Sequence, residues 1–389
     1  MSQIIPDPNN HRRIIVAKPK ILVTSAAGKT GMPAALQLLE AGFPVRAFVR
    51  SYDHRAKRLE DAGAEIFIGD QYSIVDMRKA MTGVQRAYHC SPTQTNTLHF
   101  GAVFAIAAQE ATLEHVVMLT QWTAEANHPS VVTRETWMNE QILKQLPDMT
   151  VTVINVGWFA ENYFMGVLET VAQLGILPMP LGDGDVKKNA PPSNNDIAAA
   201  AVAALVSPEA HAGNSYRPTG PELLSPNEIA ATMGKVLGRS VRYVDMPDSM
   251  VMKALVSQGL PASMVVQLLI YAEEYRRGTF AINAPNDVVR DLTGRDAEDF
   301  ETITRRVVAD RPEALRTFGN KLKAIRNFLK IPFTFGTNPR AIERRAEHVL
   351  LKSPTFDRDS QSWVESHDPA AGYLPDRPGN VDGVVSLAR

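Results

Sequence analysis

The sequence has little cysteine and almost no excess charge, and both shortages exclude classes of protein. Its 389 residues include one cysteine, Cys90, which excludes an intramolecular disulfide framework and a multi-cysteine zinc site and suits a reducing compartment. The formal net charge is -1, so no global positive field attracts nucleic acid or an anionic membrane.

Long apolar runs are also missing. The sequence has no apolar run of the length that spans a bilayer, about 18 residues or more, and its N-terminus lacks the apolar core of a signal peptide. We therefore expect a soluble cytoplasmic protein that has no membrane span and binds no nucleic acid.

Several catalytic motifs are absent as well. No tyrosine is followed four positions later by lysine, so the Tyr-x-x-x-Lys pair that delivers a proton in classical short-chain dehydrogenases is missing. The sequence contains neither Gly-x-Ser-x-Gly nor His-Glu-x-x-His, and its nine histidines show no ligand spacing. Hydrolase chemistry of these types and a metal site are therefore not expected.

A turn of small residues, Ser25–Gly31, is the first positive signal. Its Gly28-Lys29-Thr30 resembles the end of a P-loop, but the first glycine of that motif would fall on Val23. The turn instead follows a short apolar strand and precedes a helix and a second strand at residues 45–49, as in dinucleotide-binding proteins. We interpret this segment, named here the glycine turn, as a phosphate-binding turn at a helix N-terminus.

Strand-like and helix-like segments alternate through the first half of the chain. Six strands in succession predict an α/β fold with a doubly wound parallel (Rossmann) sheet, a smaller and mainly helical substrate lobe, and a C-terminal extension. The predicted boundaries are residues 18–157 for the dinucleotide-binding domain, with later strands near 193–218 returning to it, 158–312 for the substrate lobe, and 313–389 for a basic extension and tail.

The order of these segments resembles the NmrA-like branch of the atypical short-chain dehydrogenases/reductases. The motifs are "TSAAGKTG", "VRAFVR", "AGAEIFIGD", "MTVTVINVGWFAENYF", "NNDIAAAAVAAL" and "DVVRDLTGRDAEDF", and the resemblance covers roughly residues 18–310. It implies NAD(P) binding and either quinone and dye reduction or redox sensing. The chain departs from the family where Ser25 replaces the first glycine of the turn and where Asn155-Val156 replaces Arg-Pro.

The residues expected at the cofactor include a cationic group after the second strand. The resemblance places Arg50 where the family binds the 2′-phosphate, so we expect NADP(H) rather than NAD, with Arg55 as a second cation. The alternative is a solvated strand end where Asp53 caps the next helix. The other expected cofactor residues are Thr24, Ser25, Ala27, Gly28, Lys29, Thr30, Gly31, Asp70, Gln71, Ser91, Pro92, Thr93 and Thr120.

The sequence also contains candidate residues for catalysis and for contact with the substrate. Thr120, at the place of the family's usual serine, and Glu140 are the candidate catalytic residues. A hydroxyl engaged at a strand end and an ordinary helix carboxylate are the alternatives. Four aromatic residues could form a flat pocket or belong to the core: Trp122, Trp137, Trp158 and Phe159.

Two functions are compatible with the sequence. The leading hypothesis is an NADPH-dependent reductase that transfers hydride to a conjugated acceptor such as a quinone, enone, imine or dye, because such acceptors need no strong built-in acid. The alternative is a regulator that senses NADP(H) without turnover. The basic segment after residue 313 is interpreted as a solvated helix and a tail that packs on its own chain or joins a homodimer. The alternative, from its lysine and arginine spacing, is an arm that binds a membrane surface or nucleic acid.

Overall fold

A seven-stranded parallel sheet forms the centre of the protein. The computed structural model describes residues 3–5, 14–16, 18–92, 96–334 and 338–368. The strands are β1 (Gln3–Ile5), β2 (Ile14–Val16), β3 (Ile21–Val23), β4 (Val45–Val49), β5 (Glu65–Ile68), β6 (Arg86–His89), β7 (His115–Gln121), β8 (Thr150–Val156), β9 (Ile176–Met179), β10 (Ser215–Tyr216) and β11 (Arg242–Asp245).

The strand order confirms the predicted doubly wound sheet. The sheet runs β10-β8-β7-β6-β3-β4-β5, and its strand pairs are parallel. Chain order therefore reverses between β3 and β6, which makes the carboxyl ends of these two strands the switch point where ligands bind in open α/β sheets. Outside this sheet, β1 pairs with β2 and β9 with β11.

Helices cover both faces of the sheet and build the rest of the chain. They are α1 (Gly31–Glu40), α2 (His54–Asp61), α3 (Ile74–Met81), α4 (Thr97–Glu110), α5 (Val131–Lys144), α6 (Leu168–Leu174), α7 (Asn194–Val206), α8 (Pro208–His211), α9 (Pro226–Leu237), α10 (Asp248–Ser257), α11 (Ala262–Arg277), α12 (Val288–Thr293), α13 (Phe300–Ala309), α14 (Phe318–Lys330), α15 (Pro339–Arg345) and α16 (Gln361–His367). None of the helices in the described ranges is long and apolar enough to cross a bilayer.

Two apolar layers hold the helices to the sheet. On one face, α1 and the alanine-rich α7 pack together against β3, β4, β6 and β8. On the other face, α3, α4 and α5 cover residues such as Leu22, Phe48 and Met118. Small side chains in α7 permit close packing on a sheet that is buried on both sides.

An aromatic core fills the helical lobe, and the C-terminal extension helps to complete it. This cluster, the lobe core, contains Trp122, Trp158, Tyr275 and Phe300 together with Trp363 of α16. Phe356 and Ile342, also from the extension, join a neighbouring cluster on α10 and α11. The described part of residues 313–368 thus packs on its own chain, while the three predicted domain boundaries stay a prediction.

Candidate functional site

The glycine turn lies at the switch point of the sheet. Ser25 has a φ of +48°, a left-handed conformation that suits glycine better than serine. The carbonyl oxygen of Ser25 accepts from the Gly28 N–H at 2.7 Å, and the Gln71 Oε1 accepts from the Ser25 N–H at 2.9 Å. The serine that replaces the family's glycine therefore keeps the tight turn, and the hydrogen bond to Gln71 stabilises the turn.

The two glycines of the turn are required by backbone contacts. A Cβ on Gly31 would lie 2.4 Å from the Ser25 carbonyl oxygen, and one on Gly28 would lie 2.9 Å from the same atom. Such distances are far inside van der Waals contact, so side chains are excluded here by the turn itself. The missing Cβ atoms therefore preserve the tight turn in front of α1, and the N-terminus of a helix is a common place for a phosphate to bind.

The two threonines of the segment face inward. Thr24 Oγ1 lies 3.1 Å from the carbonyl oxygen of Tyr88 and accepts from the Cys90 N–H at 2.9 Å. Thr30 Oγ1 lies 3.2 Å from Cys90 Sγ, and burial raises the pKa of that thiol to about 11. These side chains brace β3 against β6, and Cys90 remains a neutral thiol, not a nucleophile.

The two candidate arginines differ in their partners. Arg55 pairs with Asp53 at 2.6 Å and reaches the Ala27 carbonyl oxygen at 3.3 Å. Asp53 also caps α2, as the alternative interpretation expected. Arg50 is exposed at the end of β4 and makes no ion pair within the described ranges. Arg50 therefore has no acidic partner among the described residues and could bind an anion beside the turn.

The remaining predicted cofactor residues follow β5 and β6. Asp70 Oδ1 accepts from the Tyr72 N–H at 2.9 Å, which is the local turn geometry of an aspartate after a strand. The Ser91 hydroxyl oxygen is buried without a hydrogen-bond partner among the described residues, next to the half-buried Pro92. Thr93 lies outside the described residues. Ser91 is thus an available polar group at the switch point.

A large cavity borders the turn on the side of the helical lobe. Its volume is about 800 Å³, and Lys29 of the glycine turn lies on its wall. The Lys29 ammonium lies 3.7 Å from Met165 Sδ. Partial removal from water disfavours its charged form and lowers its pKa. Glu161 and Arg311 also line the cavity, so it offers charges of both signs beside apolar side chains.

The hydroxyl of Thr120 is already engaged. Thr120 is 3 % exposed, and its Oγ1 donates to Asn155 Oδ1 on the neighbouring strand. The Asn155 amide in turn donates to the Ser215 hydroxyl at 2.6 Å. Two departures from the family pattern, Thr120 and Asn155, thus satisfy each other, and the role of Thr120 as a proton donor stays a prediction without a free hydroxyl in support.

Glu140 lies in an ordinary helical ion pair. Its carboxylate contacts the Lys144 ammonium at 2.6 Å, one turn along α5. A pair of this spacing is a common surface stabiliser of helices, so the structure gives Glu140 no contact that points to catalysis.

The four aromatic candidates do not form one wall. Trp122 and Trp158 are 6 % and 4 % exposed in the lobe core, whereas Phe159 packs against the sheet. Trp137 is half-buried on α5 and belongs to neither of these clusters. The core alternative therefore describes Trp122 and Trp158 better than an open pocket does.

The contact between the C-terminal extension and Trp122 was not predicted from the sequence. The Trp363 indole N–H donates to the Trp122 carbonyl oxygen at 3.1 Å, and the two rings meet edge to face at 5.7 Å. The guanidinium of Arg217 lies 3.8 Å from the centre of the Trp122 ring. An isolated tryptophan within the polar segment "DSQSWVESH" is the one signal that could have suggested a docking helix.

A second polar cluster, His128, Glu274 and Asp357, has donor atoms within 4.8 Å of one another and could hold a metal ion. However, His128 Nδ1 accepts from the Ser130 N–H at 3.0 Å, so the ring proton is on Nε2, which lies 3.1 Å from Glu274 Oε1. A metal-bound histidine instead donates through its second nitrogen. The arrangement therefore favours a hydrogen-bonded cluster.

The chain is similar to several characterised proteins. It is 31% identical over 289 residues to an NAD(P)H azoreductase of Xenophilus azovorans, covering 73% of this chain and 96% of that protein. The structure of the NADPH-dependent quinone oxidoreductase of Escherichia coli complexed with NADPH matches with a TM-score of 0.64 at 22% identity, over 74% of this chain and 99% of that one.

A regulator has the same fold. The structure of NmrA, a negative transcriptional regulator, in complex with NADP matches with a TM-score of 0.61 at 19% identity, over 77% of this chain and all, 100%, of that one. At these identities the two structural matches show the fold alone. The profile of the NmrA-like family matches residues 17–291, and the chain therefore belongs to the NmrA-like family.

Proposed function

We propose that the protein is an NADPH-dependent reductase that transfers hydride to a conjugated acceptor of the quinone, enone, imine or dye type. The observation that carries the proposal is a glycine turn beside Arg50, which forms no ion pair among the described residues, combined with a Thr120 hydroxyl that is already bonded to Asn155. Such a site can hold the dinucleotide, and its Thr120 hydroxyl donates its proton to Asn155 rather than to an acceptor. The similarity to an azoreductase supports the same conclusion.

The residues at the switch point fit NADP(H). Gly28 and Gly31 keep the turn tight in front of α1, and the backbone N–H groups at the start of that helix would bind the pyrophosphate. Arg50 would pair with the 2′-phosphate. The Ser91 hydroxyl, which has no hydrogen-bond partner among the described residues, would bind the ribose or nicotinamide side. When bound, the nicotinamide supplies a hydride, that is, one proton and two electrons, to the acceptor.

The acceptor would lie on the lobe side of the turn. The cavity next to Lys29 is of a size that suits a small aromatic molecule. A conjugated acceptor spreads the incoming charge over its own π-system, so a proton from water completes the reduction without a strong acid from the protein. The protein's contribution is then mainly to orient the acceptor against the cofactor.

Absorbance of NADPH at its reduced-nicotinamide band, followed with a panel of acceptors, tests this function. We expect oxidation of NADPH with azo dyes, triphenylmethane dyes, quinones or enones, and none with simple aldehydes or ketones. Tight NADPH binding with no turnover of any conjugated acceptor would instead favour the sensor, and turnover of simple ketones would show that an acid has been overlooked.

Two further expectations belong to the proposal. The single free cysteine, buried Cys90, suits a reducing compartment, and we keep the cytoplasm as the proposed location.

A homodimer that uses the C-terminal extension also remains a proposal. Residues of the extension such as Trp363 pack within their own chain, so these side chains are not available for a contact between two copies. Sedimentation velocity of the full chain would decide it.

A further inference from the structure

Helix α14 carries an apolar stripe that faces outward. Phe318, Leu322, Ile325 and Leu329 are 84%, 57%, 38% and 62% exposed. Their spacing of three and four residues places them along one side of the helix. Phe333, just beyond the helix, is 85% exposed. Isolated exposed apolar residues are common in proteins, but four along one side of a helix, followed by an exposed Phe333, mark an interaction surface.

The opposite side of α14 is fastened to the protein. Ala324 is buried, the Asn327 amide donates to Glu169 of α6 at 2.9 Å, and the Lys323 ammonium pairs with the same carboxylate at 3.2 Å. At about 100° per residue these side chains lie away from the stripe. The helix is therefore held in an orientation that presents the stripe to the surroundings.

Cations are spread around α14, and two of them flank the stripe. Residues 316–333 contain five lysines and arginines and no aspartate or glutamate: Arg316, Lys321, Lys323, Arg326 and Lys330. All five are exposed, and within the described ranges only Lys323 forms an ion pair. Lys321 lies along one edge of the stripe and Arg326 along the other, in a chain whose formal net charge is -1.

We propose that α14 docks on an anionic lipid bilayer and lies flat in its interface. Such a surface satisfies both features at once, because headgroups attract the cations while Phe318 and Leu329 enter the acyl boundary. A second copy on the same face would bring cations against cations, and nucleic acid would leave the aromatic and leucine side chains in water. The inference goes beyond the proposed reductase function and does not rest on it.

Co-sedimentation of the full chain with vesicles tests the proposal. We expect binding to vesicles of phosphatidylglycerol and phosphatidylcholine, weakened by salt, and little binding to phosphatidylcholine alone. Lys321→Glu with Arg326→Glu should lower the partition coefficient by about 25-fold or more, since each interfacial cation contributes on the order of 1 kcal/mol. Leu322→Ser with Leu329→Ser should lower it by about tenfold or more.

Matched control variants use equally exposed positions on the sheet domain. They are Arg58→Glu with Lys79→Glu, which change the net charge by the same amount, and Val75→Ser with Ile106→Ser, whose side chains are 53% and 49% exposed. Both controls should bind vesicles like the unchanged chain. Circular dichroism melting should show that every variant remains folded, because all the replaced residues are exposed.

Four outcomes would overturn the proposal. The first is no binding to anionic vesicles, and the second is equal loss in the control variants. The third is α14-dependent binding to duplex DNA without vesicle binding. The fourth is a dimer that Leu322→Ser with Leu329→Ser converts to a monomer, which would show that a second copy covers the stripe.

Discussion

Arg50 and Arg55 lie beside the same turn, but their partners give them different tasks. The Arg55 guanidinium is shared between Asp53 and the Ala27 carbonyl oxygen, so its charge is largely used within the chain. Arg50 has no such acid within the described residues. We therefore expect an incoming phosphate to form a full charge-assisted bond with Arg50 and to compete with Asp53 for Arg55.

Arg50→Gln should weaken the binding of NADPH about tenfold or more and leave that of NADH unchanged. A properly formed charge-assisted bond contributes on the order of 1.5–3 kcal/mol, and the 2′-phosphate is present in NADPH alone. Fluorescence titration with both cofactors measures the effect. Arg58→Gln, an exposed arginine on α2, serves as the control, and an equal loss for NADH would contradict the assignment.

Gly31→Ala should lower stability and NADPH affinity together. The added Cβ would lie 2.4 Å from the Ser25 carbonyl oxygen, so the turn must move away from the start of α1. We expect a loss of about 1–3 kcal/mol in the free energy of unfolding, measured by urea denaturation, with NADPH affinity measured in parallel. Full stability of Gly31→Ala with lost NADPH binding would show that the glycine matters to the ligand alone.

Ser25→Gly is the counterpart, because glycine relieves the φ of +48° at this position. The variant should be neutral or stabilising by up to about 1 kcal/mol in the free energy of unfolding.

At the scale of elements, the strands could be predicted from the sequence, whereas the burial of Trp122 by the C-terminal extension could not. The apolar runs at residues 21–23 and 45–49 became β3 and β4 with the same limits, because a strand buried on both faces is a local pattern. The burial of Trp122 depends on Trp363, which follows it by 241 residues. No periodicity within a helix or strand reports a contact of that range.

The parts of the site also differ in whether they could be predicted from a local sequence pattern. The glycine turn was visible because small residues between a strand and a helix are needed locally. The hydrogen bond between Thr120 and Asn155 joins two residues that lie 35 positions apart in the chain, on neighbouring strands. It became apparent only once the register of β7 and β8 was known. Chemistry carried by one segment was therefore predictable, while chemistry that depends on pairing between segments was not.

Trp363→Ala should destabilise the protein by about 3–5 kcal/mol, the usual cost of removing a large buried aromatic side chain. Trp363 is 0% exposed and α16 packs through it on the lobe core. The measurement is urea denaturation, together with a shift of tryptophan fluorescence to longer wavelength as Trp122 meets water. Phe318→Ala, at a residue 84% exposed, should change stability by less than about 0.5 kcal/mol. A small effect at Trp363 would mean that α16 is not needed to close the lobe.

At the scale of the molecule, a buried polar cluster ties three distant parts of the chain together. Glu274 of α11 accepts from the Asp357 N–H at 2.9 Å and from the Thr279 hydroxyl. His128, before α5, contacts the same carboxylate. Both carboxylate oxygens of Asp357 are buried without a hydrogen-bond partner among the described residues, so burial, followed by the charge of Glu274, raises the pKa of Asp357 well above its ordinary value.

This raised pKa predicts how stability changes with pH. A carboxyl group whose pKa is higher in the folded state binds its proton more tightly there, so folding is favoured at low pH and loses stability as pH rises from about 4 through the folded pKa. Asp357→Asn removes the ionisable group and keeps the backbone N–H. The variant should therefore exceed the unchanged chain in unfolding free energy by about 1–3 kcal/mol at pH 8, with the difference closing near pH 4, as measured by urea denaturation. A difference independent of pH would show that Asp357 does not titrate in this range.

The contact between Trp122 and Trp363 also sets an order of events during synthesis. A ribosome adds about 5–20 residues per second, so roughly 10–50 s pass between the appearance of the two tryptophans, which are 241 residues apart. During that interval the sheet can form, because its last strand, β10, ends at Tyr216, while Trp122 and Arg217 remain open to water. A nascent chain thus carries a finished dinucleotide fold and an unclosed lobe at the same time, and a chaperone bound to the lobe would have to stay until α16 has emerged.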